Sequence, residues 1–187
     1  MKTQEALNQI SYLQELITQT RLRASDSYPY FLLWGTLSVL GYLSMIWLPY
    51  SQLLIWSITG CLGAILSVII GFTERKGRPV PPLLKKLGWL GLILLLYGSG
   101  VFRLLLMVTK NIQILYSYWP FQIGLIYLAS GIFVGRQFLF IGGWIMLMAV
   151  TGLWMPPMIQ AIWLAAGAGG GLIFTGILLR KQAIKNE

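Results

Sequence analysis

Six long apolar runs, parted by short polar or proline-bearing breaks, dominate the chain. They cover approximately residues 30–48, 53–72, 88–108, 112–134, 137–155 and 158–179. Each is near the roughly 20 residues with which a helix crosses a hydrocarbon core of about 30 Å. The first two runs are split at Pro49-Tyr50-Ser51-Gln52, and the last two at Met155-Pro156-Pro157-Met158. Two consecutive prolines break a helix, so the last stretch predicts two spans rather than one very long one. Ahead of the runs, residues 3–24 repeat apolar or small positions at Ala6, Ile10, Leu13, Ile17, Thr20 and Ala24. That 4-3-4-3-4 spacing predicts a helix with one stripe, widened by Leu7 and Leu16 and backed by a Gln, Asn and Thr face. Ser25-Asp26-Ser27 then suits a cap for the next helix, with Pro29 in its first turn.

The pattern predicts an all-α polytopic membrane protein. Residues 1–27 form a cytoplasmic amphipathic helix and cap, 28–180 a six-helix transmembrane domain, and 181–187 a cytoplasmic tail. Composition agrees: 57% of the 187 residues are hydrophobic and 10% charged, against about 25% charged in soluble domains. The mean hydropathy is +0.73. Apolar residues are too many for one core, so lipid must solvate the remainder.

Charge supplies the orientation. Lys2, Arg21, Arg23, Arg75, Lys76, Arg78, Lys85, Lys86, Arg136, Arg180, Lys181 and Lys185 fall on one side, twelve in all; Lys110 alone falls on the other, and Arg103 lies within a span. The positive side is cytoplasmic, which predicts a multi-pass protein of the plasma membrane with both termini in the cytoplasm. The net charge of +9 therefore faces anionic headgroups rather than nucleic acid. Trp47, Trp119 and Trp154, each beside a proline or one residue from it, map to the outer boundary; Tyr28, Tyr30, Phe72, Phe138 and Phe140 map to the inner one. The recurring outer Trp and Pro also suit three similar helical hairpins in tandem.

Small residues mark where helices can approach. Gly60, Ala64, Ser67 and Gly71 share one face of the second span, with Gly63 alongside; Gly35, Ser38 and Gly41 mark the first. Ala165 to Gly171, with Gly167, Gly169, Gly170 and Gly171, leaves almost no side-chain bulk over two turns of the sixth. The run suits tight helix contact, or a bare backbone lining a ligand path or forming a break.

Arg103 is the one ionisable side chain within a span. It lies five residues from Val108, roughly 7–8 Å from the helix end, so it either snorkels to headgroups or turns inward. Turned inward it would join Tyr116, Tyr118, Trp119 and Gln122, with Tyr97 and Ser99 deeper, in an outward-opening aromatic pocket for an anionic or lipid-headgroup ligand. Pro120 either bends that helix or sits in its first turns. The sequence holds no histidine, and Glu5, Glu15, Asp26, Glu74 and Glu187 all lie outside the spans. Proton-coupled transport, acid–base or nucleophilic catalysis and metal or cofactor binding therefore lack their usual residues, and Cys61 has no disulfide partner. Met45, Met107, Met155 and Met158 near the outer surface suit gap filling better than copper.

The N-terminal stripe centred on Ile10, Leu13 and Ile17 fits a partner helix, a second copy or the membrane surface. The loop from Glu74 to Lys86 reads as a proline-stiffened positive anchor, or a docking strip for anionic lipid or protein. In size and six-span plan the chain is similar to the substrate-binding membrane subunits of energy-coupling factor transporters, in architecture alone. The leading expectation is a small non-enzymatic membrane protein acting through a partner, as an accessory, regulatory or immunity-type subunit. The alternative is a ligand-binding or transport component with its pocket at Arg103.

Overall fold

A computed structural model describes residues 4, 7–12, 14, 15, 18, 25–48, 51–74, 82–109 and 111–185. Every described residue between 4 and 18 is helical, in line with the helix expected over 3–24. Of its stripe, Ile10 is half exposed at 52%, whereas Leu13 and Ile17 lie outside the described residues. Arg75–Pro81 and Lys110 also lie outside them.

The chain is a polytopic helical membrane protein. Its spans are α1 (Tyr28–Trp47), α2 (Gln52–Glu74), α3 (Pro82–Val108), α4 (Ile112–Val134), α5 (Arg136–Gly152) and α6, which runs from Pro157 to Lys185. Five of these are long and apolar enough to cross a bilayer, and α5, with 17 residues, is shorter. The expected fifth span reached residue 155, but α5 ends at Gly152 in a turn in which Met155 N–H bonds the Gly152 carbonyl at 3.1 Å. At the other extreme α3 begins at Pro82, so Lys85 and Lys86 belong to its first turn rather than to a loop. Proline suits a first helical position, and the Leu-Leu-Lys-Lys that follows propagates a helix well.

Local chemistry explains the ends. Ser25–Ser27 forms a 3-10 turn leading into α1, and Ser27 makes no side-chain capping bond, contrary to the expected cap. The cap that does form is Asn111, whose Oδ1 accepts from the Gln113 and Ile114 amides at 3.0 and 3.4 Å. Gly135 alone joins α4 to α5 at φ 141° and ψ 173°, a region open essentially to glycine.

Helices α1, α4, α5 and α6 form the packed centre. Tyr42, Met45, Tyr116, Met148, Ala161 and Leu164 fill the end near the α5–α6 turn; Phe31, Ile141, Ile145, Ala168, Leu172 and Leu179 fill the other. Helix α2 lies on α1 and α3 on α4. Only 6% of the α3 span is buried, so nearly its whole apolar surface faces outward, as lipid solvation allows.

Glycines set the close approaches. A Cβ on Gly142 of α5 would stand 2.6 Å from the Leu128 nitrogen and 2.7 Å from the Gly124 carbonyl of α4. Between α1 and α6, Gly35 meets the Gly169 carbonyl in the same way, at 3.0 Å. The α2 seam keeps part of the expected face and drops Gly60 and Ala64 from it: Gly63 presses on Trp34 and Leu37, and the Trp34 indole donates to Ser67 at 3.1 Å. Gly71 faces the Tyr30 hydroxyl, while Gly60 meets nothing within 4 Å and Ala64 is exposed. The indole of Trp34 needs a partner, and Ser67 with Gly63 four residues earlier supplies both bond and space.

Candidate functional site

Three places in the bundle stand out, two for their polar ties and one for the space it leaves. The first begins at Pro120, which is buried in the body of α4. A proline has no N–H for the carbonyl four residues earlier, here Tyr116. The hydroxyl of Tyr42 on α1 donates to that carbonyl at 3.3 Å. A backbone defect on one helix thus becomes a tie to another, as a water-free interior requires. One turn nearer the α5–α6 loop, Gln113 Nε2 donates to the Met155 carbonyl at 2.8 Å. Gln160, fully buried, donates from Nε2 to both the Gln113 carbonyl and Ser117 Oγ at 2.8 Å. Its Oε1 is buried without a partner.

The second place is the α3–α4 seam. Tyr118 OH donates to the Gly98 carbonyl at 2.7 Å, and Gln122 Nε2 to the Leu94 carbonyl at 3.0 Å. The absence of a side chain at Gly98 allows this approach, since a Cβ there would sit 3.1 Å from the Gln122 amide. Phe102, Tyr118 and Trp119 cluster beside it with centroids 5.4–5.7 Å apart. Of the residues expected around Arg103, the structure therefore brings Tyr118, Trp119 and Gln122 together. Arg103 is exposed and Tyr97 is 70% exposed, so neither closes over them. Tyr116 is buried elsewhere, in the centre with Tyr42.

The third is a groove of about 840 Å³ between α5 and α6, away from Arg103. The glycine run shapes it. Ala165–Gly169 is a π turn, which separates the α6 segments Pro157–Leu164 and Gly170–Lys185. Such turns displace the backbone ladder and recur at functional sites. The Trp144 indole of α5 donates to the Gly167 carbonyl at 2.9 Å. The two expectations for the run divide by residue. Gly167 abuts Met148, Gly169 abuts Val39 and Gly171 abuts Trp144, which is tight contact; Gly170 has only the Ala165 carbonyl, at 4.0 Å, within reach, and it lines the groove together with Gly167 and Gly171. Arg136 and Trp144 were not singled out from sequence as site residues, because only the folded hairpin sets them against the glycines. Among the described residues no group of His, Cys, Asp or Glu could hold a metal.

No family model matches the chain, and neither a curated protein nor a solved structure matches it.

Proposed function

We propose that the chain is a small non-enzymatic membrane protein that works through a protein partner, as an accessory, regulatory or immunity-type subunit. The observation that carries this reading is where the polar side chains of the spans go. Tyr42, Tyr118, Gln122 and Gln160 donate to carbonyls of neighbouring helices, and Gln113 to the Met155 carbonyl in the α5–α6 turn. Their donors hold the bundle together instead of facing a ligand, and Arg103 points outward from α3. A transport pathway needs polar groups lining a water-filled passage.

The partner contact falls to residues 3–24, where Leu7, Ile10 and Tyr12 are exposed at 61%, 52% and 61%. The charge asymmetry of twelve against one supports a plasma-membrane protein with both termini cytoplasmic.

Purification of the full chain in mild detergent, with mass spectrometry of bound protein and small molecules, tests the reading. A stoichiometric partner is expected, lost in an Ile10→Asn, Leu13→Asn, Ile17→Asn variant and retained in Arg103→Gln. A bound small molecule without a protein partner, released by Arg103→Gln, would overturn it in favour of the transport alternative. Orientation is read separately with Lys110→Cys and Gln182→Cys in a Cys61→Ser background. An impermeant maleimide on intact cells is expected to label position 110 and leave position 182 untouched.

A further inference from the structure

The α5–α6 groove runs beside the packed centre and opens along the lipid-facing side of the bundle. From Leu178 to Ala166 its α6 wall covers thirteen residues, about 18 Å of helix rise, close to the thickness of one leaflet of a 30 Å core. Its lining is mainly apolar, with Phe140, Ile141 and Trp144 on α5, Phe174 and Leu178 on α6 and a floor at Gly167, Gly170 and Gly171; Gln137 and Thr175 are polar, and the Thr175 hydroxyl donates to the Gly171 carbonyl at 2.9 Å. At one end stands Arg136, the first residue of α5. It is exposed and makes no ion pair among the described residues. Arg180 and Lys181 are exposed at the same end, two and three residues past Leu178.

An apolar hollow within the hydrocarbon region is filled by hydrocarbon, because both of its alternatives, vacuum and water, are unfavourable there. The neighbouring apolar molecules are lipids. Most lipid contacts are exchangeable and indifferent to headgroup, but this groove joins one chain-length slot to one unpaired guanidinium at interface depth. Guanidinium recognises phosphate through paired N–H donors. Basic pockets between transmembrane helices bind anionic headgroups by that chemistry. The banks argue against a helix as occupant. Phe140 on α5 and Phe174 on α6 project at 72% and 62% exposure, keeping a cylinder about 10 Å across off the glycine floor.

We infer that the groove between α5 and α6 is a binding site for one anionic phospholipid, its phosphate at Arg136 and one acyl chain laid along the π turn of α6. The π turn makes the slot. Its alanines and glycines leave out the bulk that larger side chains would place there, and the Trp144 indole keeps the Gly167 carbonyl satisfied under the chain. Gly170 forms part of the floor that the chain covers.

The test uses the full chain in mild detergent, titrated with phosphatidylglycerol or phosphatidylcholine and examined by native mass spectrometry. The wild type is expected to retain one phosphatidylglycerol with about a fivefold preference over phosphatidylcholine. Arg136→Gln removes the preference and keeps weak binding of both. Gly170→Leu, at a position where an added Cβ meets only the Ala165 carbonyl at 4.0 Å, fills the slot and releases both lipids, and Ala166→Leu does the same from the exposed rim. Gly100→Leu on α3, where an added Cβ meets nothing within 4 Å, leaves retention unchanged. Far-UV circular dichroism and gel filtration confirm that each variant is folded. Equal retention of the two lipids by the wild type would refute the inference, as would undiminished retention in Gly170→Leu and Ala166→Leu. A co-purifying polypeptide displaced by those two substitutions, with no lipid bound, would also refute it.

Discussion

The tie between Tyr42 and Pro120 can be weighed by a double-mutant cycle. Removing the Tyr42 hydroxyl with Tyr42→Phe keeps the ring, which is 2% exposed and packed edge-on against Trp56 at 5.0 Å. What changes is the Tyr116 carbonyl, which loses the donor that stands in for the missing Pro120 N–H. A buried acceptor left unpaired costs about 1–3 kcal/mol. Interhelical hydrogen bonds in bilayers average about 0.6 kcal/mol with an upper value near 1.7. At 3.3 Å this bond is longer than the usual hydroxyl distance, so a loss of about 1 kcal/mol is expected. Pro120→Ala returns an amide to the Tyr116 carbonyl from within α4. In that background Tyr42→Phe should cost less than about 0.3 kcal/mol, a coupling of about 0.7 kcal/mol between residues on different helices. Reversible unfolding in mixed dodecyl maltoside and dodecyl sulfate micelles, followed by far-UV circular dichroism, measures all four corners. Equal cost of Tyr42→Phe with and without Pro120 would show that the hydroxyl serves ring packing or another acceptor, and the reasoning would fail.

Four further outcomes follow from contacts already described. Gln160→Met gives up two hydrogen bonds of about 0.6 kcal/mol each but also removes a buried, unpaired Oε1 that costs about 1–3 kcal/mol. The same unfolding measurement should therefore move by less than about 1 kcal/mol, and a loss above 2 would mean that Oε1 has a partner. Gly142→Val drives a Cβ against the backbone of α4 and should cost about 3 kcal/mol or more, seen as loss of monodisperse protein on gel filtration. Gly60→Val, in open space, should stay within about 0.5 kcal/mol of the wild type; comparable losses from both would contradict the α2 seam. Gly135→Ala forces a side chain onto φ 141° and should lower the unfolding free energy by about 1–3 kcal/mol.

Hydropathy located the spans well because a bilayer imposes one length on every crossing. The boundaries of α4 at 112 and 134 agree with the apolar run to the residue, since Asn111 caps one end and Gly135 breaks the other. Packing was less legible. Glycine spacing marks a face as bare without saying which helix meets it. On α2 the contact went to Gly63 and Ser67 because Trp34 of α1 needed a hydrogen-bond partner there, and that need is invisible within α2. The close approach of Gly124 to Gly142 drew no notice in the sequence, because its two members sit on different runs and become a pair only when Gly135 folds α4 onto α5.

The same distinction separates the two sites weighed for ligands. Arg103 stood out because a charge within a span is rare, and rarity is a property of sequence. Whether that charge meets a ligand depends on what surrounds it, and α3, with 6% of its span buried, supplies few walls. Arg136 looked ordinary, one cation among twelve at a helix end. It gains its role from two facts outside its own run: α5 is short and begins at this residue, and α6 carries a π turn opposite Trp144. A regular α6 would carry the same glycines on a turning face, some buried against α1 and some spread toward lipid. Across the π turn at Ala165–Gly169 and the residue after it, Gly167 and Gly169 pack against Met148 and Val39 while Gly170 is left open, and Gly167 and Gly170 both line the groove. Composition announced that bulk was missing from this stretch, and the helix register decided that part of the missing bulk would become a groove.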